Sequence, residues 1–440
     1  MKKKCVLSDF ALRSKLPYVG VVVLALMGCA KRAFHEENSS QKNLANPFDK
    51  RSLVEKLTEE CKTGKIGSGT AVECREVGEE EEIKQAAAQA VTLVLDAQKA
   101  QSSGASQPAL WKRDVHPKHH GCIKGTFNVS SNTPQEYQVG LFANIGKTYP
   151  VWSRISNSGL TSNMSDNAGD FRGMTFKVIG ATGPRLLSGF ESSISTDFLF
   201  VNVPFFVAKN IKEYNTQLAF KQNPSLGNTL NASLKTNLLL LTKKALDASK
   251  MVNPLNESYF SITSFKLGDN AVRYRAIPCA SKRNLGNEGK SGDNKFREAL
   301  AATLERENGC YEIEARRLLI PSWIMNEDVT KTWEEHVEGA MPFKLGGYSD
   351  SQKAEAYAKV FSPWSQIATV DFPKQKFESE KQQSFCENSS FNVWRTIEEM
   401  RPLGNLNRAR QVVYAEVSKA RRTKNHVSEL EPTGEEDFSK

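Results

Sequence analysis

Arg410 and Tyr414 are the two residues of this 440-residue chain whose types and spacing most directly suggest chemistry. If residues 407–420 form a helix, the two side chains lie one turn apart on the same face. A free tyrosine ionises near pH ~10, so its neutral phenol is a poor ligand for iron, whereas a nearby guanidinium favours the phenolate. The pair could therefore hold a haem iron through a tyrosinate. A surface ion pair or a tyrosine in the core would give the same pattern.

A second group of motifs lies far upstream. In chain order it reads R-D-V-H-P-K (113–118), G-C-I-K-G-T-F (121–127), V-W-S-R-I-S-N (151–157), D-F-R-G-M-T-F-K (170–177) and T-D-F-L-F-V-N-V-P-F-F (196–206). This series resembles the catalase superfamily, whose motifs are R-x-x-H-x-K-G, V-R-F-S, D-x-R-G-x-x-x-K and D-L-x-x-N-N-x-P-x-F-F. The stretch R-P-L-G-N-L-N-R-A-R (401–410) is most similar to the shorter catalase-like haem proteins, which include haem domains that act on fatty-acid hydroperoxides. The resemblance covers residues 111–422.

The resemblance implies an α+β fold, with a catalase-like antiparallel β-barrel core and appended helices. The texture of the chain agrees, because short stretches rich in β-branched and aromatic residues are separated by Gly, Asn and Pro, and helical patterns follow near the end. The predicted haem domain spans residues 106–423. Predicted strands cover 123–129, 151–155, 174–179, 196–201, 259–267, 271–277 and 311–325 (one strand or a pair), and predicted helices cover 79–101, 210–248 and 391–420.

By the same resemblance, the site residues surround a haem b cofactor. His116 would move a proton between the two oxygens of a peroxide, as a side chain that titrates near pH ~6.5 can, and Ser156 would fix its tautomer. Taken alone, H-P-K-H-H could equally be a solvated or adventitious metal-binding loop of His116, His119 and His120. The cofactor-binding residues would be two arginines for the propionates, two aromatic residues against the macrocycle and the proximal pair: Arg113, Arg154, Phe206, Tyr214, Arg410 and Tyr414.

The sequence departs from the family pattern at the distal asparagine. Counted from Asp197, the first asparagine position of D-L-x-x-N-N holds Val201 and the second holds Asn202. A shift of one residue along a strand moves a side chain to the opposite face. Either a bulge brings Asn202 into the distal pocket as a catalytic residue, or the distal amide is missing.

The function implied is haem-dependent decomposition of a peroxide, as a catalase-like oxidoreductase in defence against oxidative stress. One alternative is a haem enzyme that transforms organic or fatty-acid hydroperoxides, as peroxygenases and allene oxide synthases do. The other is a haem-binding envelope protein without catalysis. The sequence leaves open both a monomer and an oligomer.

The first 29 residues have the features of a bacterial lipoprotein signal. Five basic residues precede the apolar stretch 16–27, which is too short to span a bilayer. The stretch ends in L-M-G-C, so Cys29 is the expected site of lipidation. A plain secretory signal or an uncleaved anchor is the alternative. Residues 30–105 would form a tether and an N-terminal helical segment, and the protein would be lipid-anchored in the cell envelope, in contact with the periplasm or the outer membrane.

Charge and cysteine content narrow the function classes further. Of the net charge of +9, residues 1–28 contribute +4 (five Lys/Arg and one Asp), which leaves +5 for the rest of the chain. No dense basic patch is interleaved with aromatic residues, so a nucleic-acid partner is not expected. Beyond Cys29 the six cysteines are even in number, as suits an oxidising compartment, and Cys61 and Cys74 are close enough in sequence for a local disulfide. Residues 424–440 are acidic and polar, which predicts a disordered tail.

Overall fold

A computed structural model describes residues 51–101, 110–113, 116–159, 161–223, 251–285 and 291–438 of the chain. The predicted signal peptide, its lipidation site Cys29 and residues 30–50 and 102–105 of the predicted tether and helical segment lie outside these ranges, as does the second half of the helix predicted over 210–248. None of the helices that the structure describes has the length and hydropathy of a transmembrane segment.

The strands are β1 Lys65–Ile66, β2 Glu73–Cys74, β3 His119–Val129, β4 Thr148–Asn157, β5 Arg172–Ile179, β6 Ser195–Val201, β7 Tyr259–Phe260, β8 Phe265–Leu267, β9 Asn270–Pro278, β10 Gly309–Arg317 and β11 Ser365–Phe372. Eight of these strands are antiparallel and close into a barrel. Strand β10 pairs with β11 on one side and with β9 on the other, so the hydrogen-bonded series β10-β11-β3-β4-β5-β6-β7-β9 returns to its start. A ninth strand, β8, pairs with β9, and β1 pairs with β2 in a separate hairpin. The predicted fold class is confirmed.

Aromatic side chains fill the barrel. Phe198 and Phe200 alternate along β6 and are both buried, and the ring of Phe198 lies 6.0 Å from Phe127, 6.2 Å from Phe142 and 5.7 Å from Tyr274. Because successive residues of a strand face opposite sides, this alternation places one face of the sheet in the core. The interior is therefore packed, and the chemistry must be sought at the ends of the strands.

The start of β3, the end of β4, the start of β5 and the end of β6 meet at one end of the barrel, where His119 pairs with Ser156, Ser156 with Gly173, and Gly173 with Val201. The motifs that contain these residues are separated in sequence. The antiparallel order brings them side by side.

Nine α-helices lie in the described ranges. Helix α2 spans Glu79–Gln101, the range predicted for it from the sequence. Helices α2, α3 and α9 pack together through small and branched side chains, among them Ala86, Ala90, Ala409 and Val413. This packing places the helix that carries Arg410 and Tyr414. The helices are α1 Leu53–Leu57, α2 Glu79–Gln101, α3 Ile211–Gln222, α4 Lys295–Arg306, α5 Trp323–Glu327, α6 Trp333–Ala340, α7 Asp350–Ala358, α8 Glu380–Asn388 and α9 Asn405–Asn425.

Two of the predicted elements were too long. The strand expected over 311–325 ends at Arg317, and α5 begins at Trp323 because the side chain of Ser322 accepts a hydrogen bond from the Met325 N–H and caps the helix. The helix expected over 391–420 begins only at Asn405. Gly404 precedes it with φ +90° and lies so close to the Asn326 carbonyl that a side chain there would clash.

The acidic tail differs from its prediction. Residues 424–425 form the last turn of α9, and residues 426–438 lie against the barrel rather than forming a disordered segment. The carboxylate of Glu436 accepts a hydrogen bond from the Trp152 indole (3.0 Å), and the ring of Phe438 lies 5.9 Å from that of Trp152. Acidic composition predicts a solvated segment, but here the carboxylates meet buried partners.

Three disulfides join the six cysteines of the described residues. Cys61–Cys74 confirms the predicted local bond, and the other two are Cys122–Cys386 and Cys279–Cys310. The second links β3, which follows His116, to α8 across 264 residues.

Candidate active site

His116 and Ser156 form the first pair of the site. Nδ1 of His116 lies 3.0 Å from Oγ of Ser156, which is the penultimate residue of β4. The backbone of His116 is in the left-handed region (φ 65°), a conformation that costs a residue with a side chain about 1–3 kcal/mol and is found most often at functional sites. The structure thus brings together the two residues predicted for the distal side.

Gly173 explains how the imidazole fits. A Cβ atom added at this position would lie 2.7 Å from Cε1 and 2.8 Å from Nδ1 of His116, and 3.2 Å from Oγ of Ser156. Contacts below 3.0 Å require something to move, so only glycine leaves room for the ring at this place on β5. Gly173 of the D-F-R-G motif therefore leaves the space that the His116 ring occupies.

Arg154 lies on β4 two residues before Ser156. Its Nη2 atom donates to the backbone carbonyl of His116 at 2.7 Å, and it lies 3.4 Å from Oε1 of Glu387. Arg113 lies 3.7 Å from Oε2 of the same carboxylate and also donates to the carbonyl of Cys386. The two arginines predicted for the propionates thus meet around a buried glutamate at the end of α8.

The other two histidines of the H-P-K-H-H stretch turn to different partners. Nε2 of His119 lies 3.3 Å from Glu387, and Nε2 of His120 lies 2.7 Å from the Asn157 carboxamide oxygen. Within the described ranges no three His, Cys, Asp or Glu side chains are grouped so as to hold a metal ion. The geometry does not support the alternative of a shared metal loop.

Burial and positive charge keep His116 neutral. Burial lowers the pKa of His116 to about 3, and the charge of Arg154 adds to this effect, as do those of Arg113 and Arg410. Burial and the neighbouring Arg113 lower the pKa of Arg154 to about 9. Burial alone would raise the pKa of Glu387, but Arg154, His119 and Arg113 outweigh it and hold that pKa well below its usual range.

Arg410 and Tyr414 are in contact on α9, as their spacing predicts. Nε of Arg410 donates to the Tyr414 hydroxyl at 3.2 Å, and Nη1 donates to Oδ1 of Asn407 at 3.0 Å. The same guanidinium acts electrostatically on His116. Arg410, most of the chain away in sequence, therefore adds a smaller contribution to the lowered pKa of His116.

Phe206 and Tyr214 also lie together. Their ring centroids are 5.8 Å apart, and Tyr214 packs in the cluster formed by α2, α3 and α9, which Tyr414 also borders. Both predicted aromatic residues thus belong to the side of the site that carries the phenol.

The strand register bears on Val201 and Asn202. Val201, the last residue of β6, is paired with Gly173, and directly opposed residues of a ladder share a face. The apolar side chain therefore lies on the face of His116. Asn202 follows the strand end and is held by Arg172: its backbone N–H donates to the Arg172 carbonyl (3.0 Å) and its Oδ1 accepts from the Arg172 N–H (2.8 Å).

This set of donors fits haem. It contains a phenol hydrogen-bonded by a guanidinium, a neutral imidazole, and two arginines close to that imidazole. Among the described residues, Nε of Arg154 is buried without a hydrogen-bond partner, so this arginine retains capacity for an added carboxylate. Glu387 already lies between the arginines, and a propionate would share them with it.

The sequence did not predict a role for Glu387, nor that Gly173 leaves room for the His116 ring. Glu387 lies in α8, outside every motif of the sequence, and reaches the site through its contacts with Arg154, Arg113 and His119. Gly173 stands within a motif, but a glycine in a strand shows its purpose only when the neighbouring side chain is known.

Comparisons with known proteins agree with this fold. Residues 70–239 match the family model described as catalase, whereas no curated protein matches the chain significantly in sequence. The chain is similar in structure to a fungal catalase (TM-score 0.53, 13% identity, covering 76% of this chain and 63% of that one). It is also similar to catalase A from Saccharomyces cerevisiae (TM-score 0.51, 14% identity, covering 74% and 64%).

The chain thus spans slightly less than two thirds of the length of each of these catalases. The segment matched by the family model contains every distal motif from Arg113 to Tyr214, and its strands β3 to β6 form half of the closed barrel, whose other four strands lie beyond residue 239. These comparisons show a catalase-like fold for the chain and a match to the catalase family model over residues 70–239.

Proposed function

We propose that this protein is a haem b-dependent oxidoreductase that decomposes peroxide. The observation that carries the proposal is the pair of contacts His116–Ser156 and Arg410–Tyr414, joined by the effect of Arg410 on His116. Either contact alone is common in proteins. Their combination at the end of a catalase-like barrel supplies both sides of a haem site.

Each residue has a distinct task in this proposal. Tyr414 would bind the iron through its oxygen, to which the Arg410 guanidinium donates a hydrogen bond. Arg113 and Arg154 would hold the propionates, and Phe206 and Tyr214 would pack against the macrocycle. Bound haem would supply the redox-active iron.

His116 would move the proton. Because burial keeps its imidazole neutral, one ring nitrogen can accept a proton from a peroxide. If Nδ1 donates to Ser156, the accepting atom is Nε2, and the Ser156 contact fixes this tautomer. Nε2 would then return the proton to the departing oxygen, which makes the cleavage of the O–O bond easier.

A second candidate is the transformation of an organic hydroperoxide. The observation in its favour is Val201, which stands where the family pattern has an asparagine. Its apolar side chain shares a face with Gly173, the residue that leaves room for the His116 ring. An apolar distal wall suits a substrate with a hydrocarbon substituent better than it suits hydrogen peroxide. Turnover of cumene hydroperoxide and of hydrogen peroxide, compared on the same preparation, separates the two candidates.

We further propose that the protein resides in the cell envelope, anchored by a lipid at Cys29. The apolar stretch before L-M-G-C supports the anchor, and the three disulfides suit an oxidising compartment. Mass spectrometry of the N-terminus from cells grown with and without globomycin, which blocks cleavage of lipoprotein precursors, tests the lipidation. An unmodified, uncleaved Cys29 in the untreated cells would contradict it.

The central experiment is His116→Ala, with His426→Asn as its control. His426 caps α9 in the left-handed region, which asparagine also adopts readily. We expect His116→Ala to lower peroxide turnover by about 10²–10⁴-fold while the haem content per chain stays unchanged, and the control to retain both. Unchanged turnover would refute the proposal. An equal loss of haem and turnover would show that His116 is structural and would also refute its catalytic task.

A further inference from the structure

A basic pocket lies beside the candidate active site and shares none of the residues assigned to haem. Its volume is about 270 Å³, and its lining consists of Lys112, Lys118, His119, Ser162, Asn294 and Arg297. A water molecule occupies about 30 Å³ in the liquid, so the pocket has room for a small molecule together with hydration water. No carboxylate lines it among the described residues.

Two of the basic side chains of the pocket make no ion pair within the described residues. The charge of the Lys118 ammonium is balanced by the buried carboxylate of Asp166, which lies 2.8 Å from it. Lys112 and Arg297, in contrast, have no carboxylate within ion-pair distance in the described ranges; Arg297 donates to the His119 carbonyl (2.9 Å) and approaches the Gln383 carboxamide (3.5 Å). Two basic side chains therefore line the pocket without a direct ion pair, and Glu378, Glu387 and Asp166 act on Arg297 only from beyond that distance.

His119 provides an independent sign of a ligand. Its side chain is only 7% exposed, and its Nδ1 atom has no hydrogen-bond partner among the described residues. Nε2 faces Glu387, so Nδ1 is the ring nitrogen left for a ligand. A buried polar atom without a partner destabilises the fold, and a ligand that supplies the missing hydrogen bond would remove that destabilisation.

The helix α4 strengthens the same preference. It has 12 residues and begins at this pocket, and its N-cap Asn294 makes no side-chain capping hydrogen bond. One N–H of its first turn, that of Phe296, is taken by Asp166 (3.0 Å). The partial positive charge of a helix N-terminus favours an anion.

We propose that this pocket binds an oxyanion, a carboxylate or a phosphate, between Lys112 and Arg297 with His119 at its inner wall. Both groups offer the acceptor oxygens that ammonium and guanidinium groups bind. The site is independent of the haem proposal, since Tyr414 and His116 do not line it. Through His119 it borders Glu387, so the ligand would sit one side chain away from the carboxylate that pairs with Arg113 and Arg154.

The test is the thermal unfolding of the full chain, titrated separately with sodium phosphate and sodium acetate against sodium chloride of equal ionic strength. We expect a saturable rise in Tm with at least one of the two oxyanions and none with chloride. A response to acetate alone identifies a carboxylate ligand, and a response to phosphate alone identifies a phosphate ligand.

Lys112→Gln is the decisive variant, because Lys112 makes no ion pair that holds the fold together. We expect it to weaken binding at least about tenfold, whereas Lys212→Gln, which removes an exposed lysine from α3, should bind as the parent does. Arg297→Gln, with its folding verified by circular dichroism, should weaken binding in the same way. No saturable response, or equal binding by Lys112→Gln and the parent, would overturn the proposal. The haem content of Lys112→Gln should equal that of the parent, so failure here would leave the proposed function untouched.

Discussion

The guanidinium of Arg154 donates to the backbone carbonyl of His116 at 2.7 Å. This bond fixes a backbone that is otherwise strained, because His116 has a positive φ. The same arginine lowers the pKa of the His116 imidazole, together with burial. One side chain thus helps to fix the position of the histidine and adds to the effect of burial on its pKa.

Replacement of Tyr414 by phenylalanine tests the proximal ligand. The ring and its packing remain, but the oxygen that accepts from Arg410 is lost. We expect the ferric absorption spectrum of a tyrosinate-ligated haem in the parent, and its disappearance in Tyr414→Phe. Tyr348→Phe, on the loop between α6 and α7, serves as the control and should keep the spectrum. Identical spectra for the parent and Tyr414→Phe would exclude this tyrosine as the ligand.

Gly173→Ala tests whether the space at Gly173 sets the position of the His116 ring. The added methyl group would lie 2.7 Å from Cε1 of His116 and would push the ring away from Ser156. A displacement of about 1 Å can cost about 10²-fold in rate, so we expect peroxide turnover to fall by at least about tenfold at unchanged haem content. The matched control is Gly339→Ala in α6, where no atom lies within 4 Å of the added methyl group. Equal turnover in both variants would mean that the ring position does not matter.

Glu387→Gln tests the buried carboxylate. Glu387 is 3% exposed and pairs with Arg154 and Arg113, and removal of one partner from a buried ion pair costs about 3–5 kcal/mol. We expect the free energy of unfolding, measured in urea at pH 7, to fall by that amount. The control Glu416→Gln, on the exposed side of α9, should change it little. A loss no larger than that of the control would show that the arginines do not depend on this carboxylate.

The stability difference should also depend on pH. Since the folded protein holds the pKa of Glu387 below its ordinary value, the unfolded chain binds the proton more readily. The stabilisation is therefore complete above the ordinary glutamate pKa of about 4.3 and is lost as the pH falls towards the depressed folded value. We expect the unfolding curves of the parent and Glu387→Gln to converge below pH ~4. A constant difference down to pH ~3 would contradict this.

Truncation after Asn425 tests the packed tail. Arg395 is fully buried and lies 3.5 Å from Glu429 and 3.8 Å from Glu431, both of which would be removed. We expect a loss of about 1–3 kcal/mol in the free energy of unfolding, while truncation after Phe438 should have no effect. If the two truncated forms unfold alike, the contacts of the tail do not stabilise the barrel.

The fold and most of the site could be predicted, for different physical reasons. Strands β3 to β6 follow from stretches rich in β-branched and aromatic residues between turn-forming residues, and the spacing of Arg410 and Tyr414 places them on one face of a helix. The site residues follow from the order of the motifs, and the structure gathers His116, Ser156, Arg154 and Arg113 at one end of the barrel and its edges. Local patterns suffice wherever a residue acts within its own element.

Glu387 and the tail could not be predicted because their partners are remote in sequence. Nothing local distinguishes Glu387 from a solvated helix carboxylate, and its burial results from the packing of α8 against β3. Likewise Glu431 and Glu436 look solvated, yet they meet Arg395 and Trp152 inside the fold. The packing of Trp152 and Arg395 becomes visible only when the barrel is closed.

The closure of the barrel has a consequence for biosynthesis. Strand β3 must wait for β11, Cys122 must wait for Cys386, and His116 must wait for the helix of Tyr414. At translation rates of about 5–20 residues per second, roughly 15–60 s separate the synthesis of His116 from that of Tyr414. Haem held by both sides of the site can therefore be captured only when the chain is nearly finished, and a chain released early would carry the distal residues without a pocket to hold the cofactor.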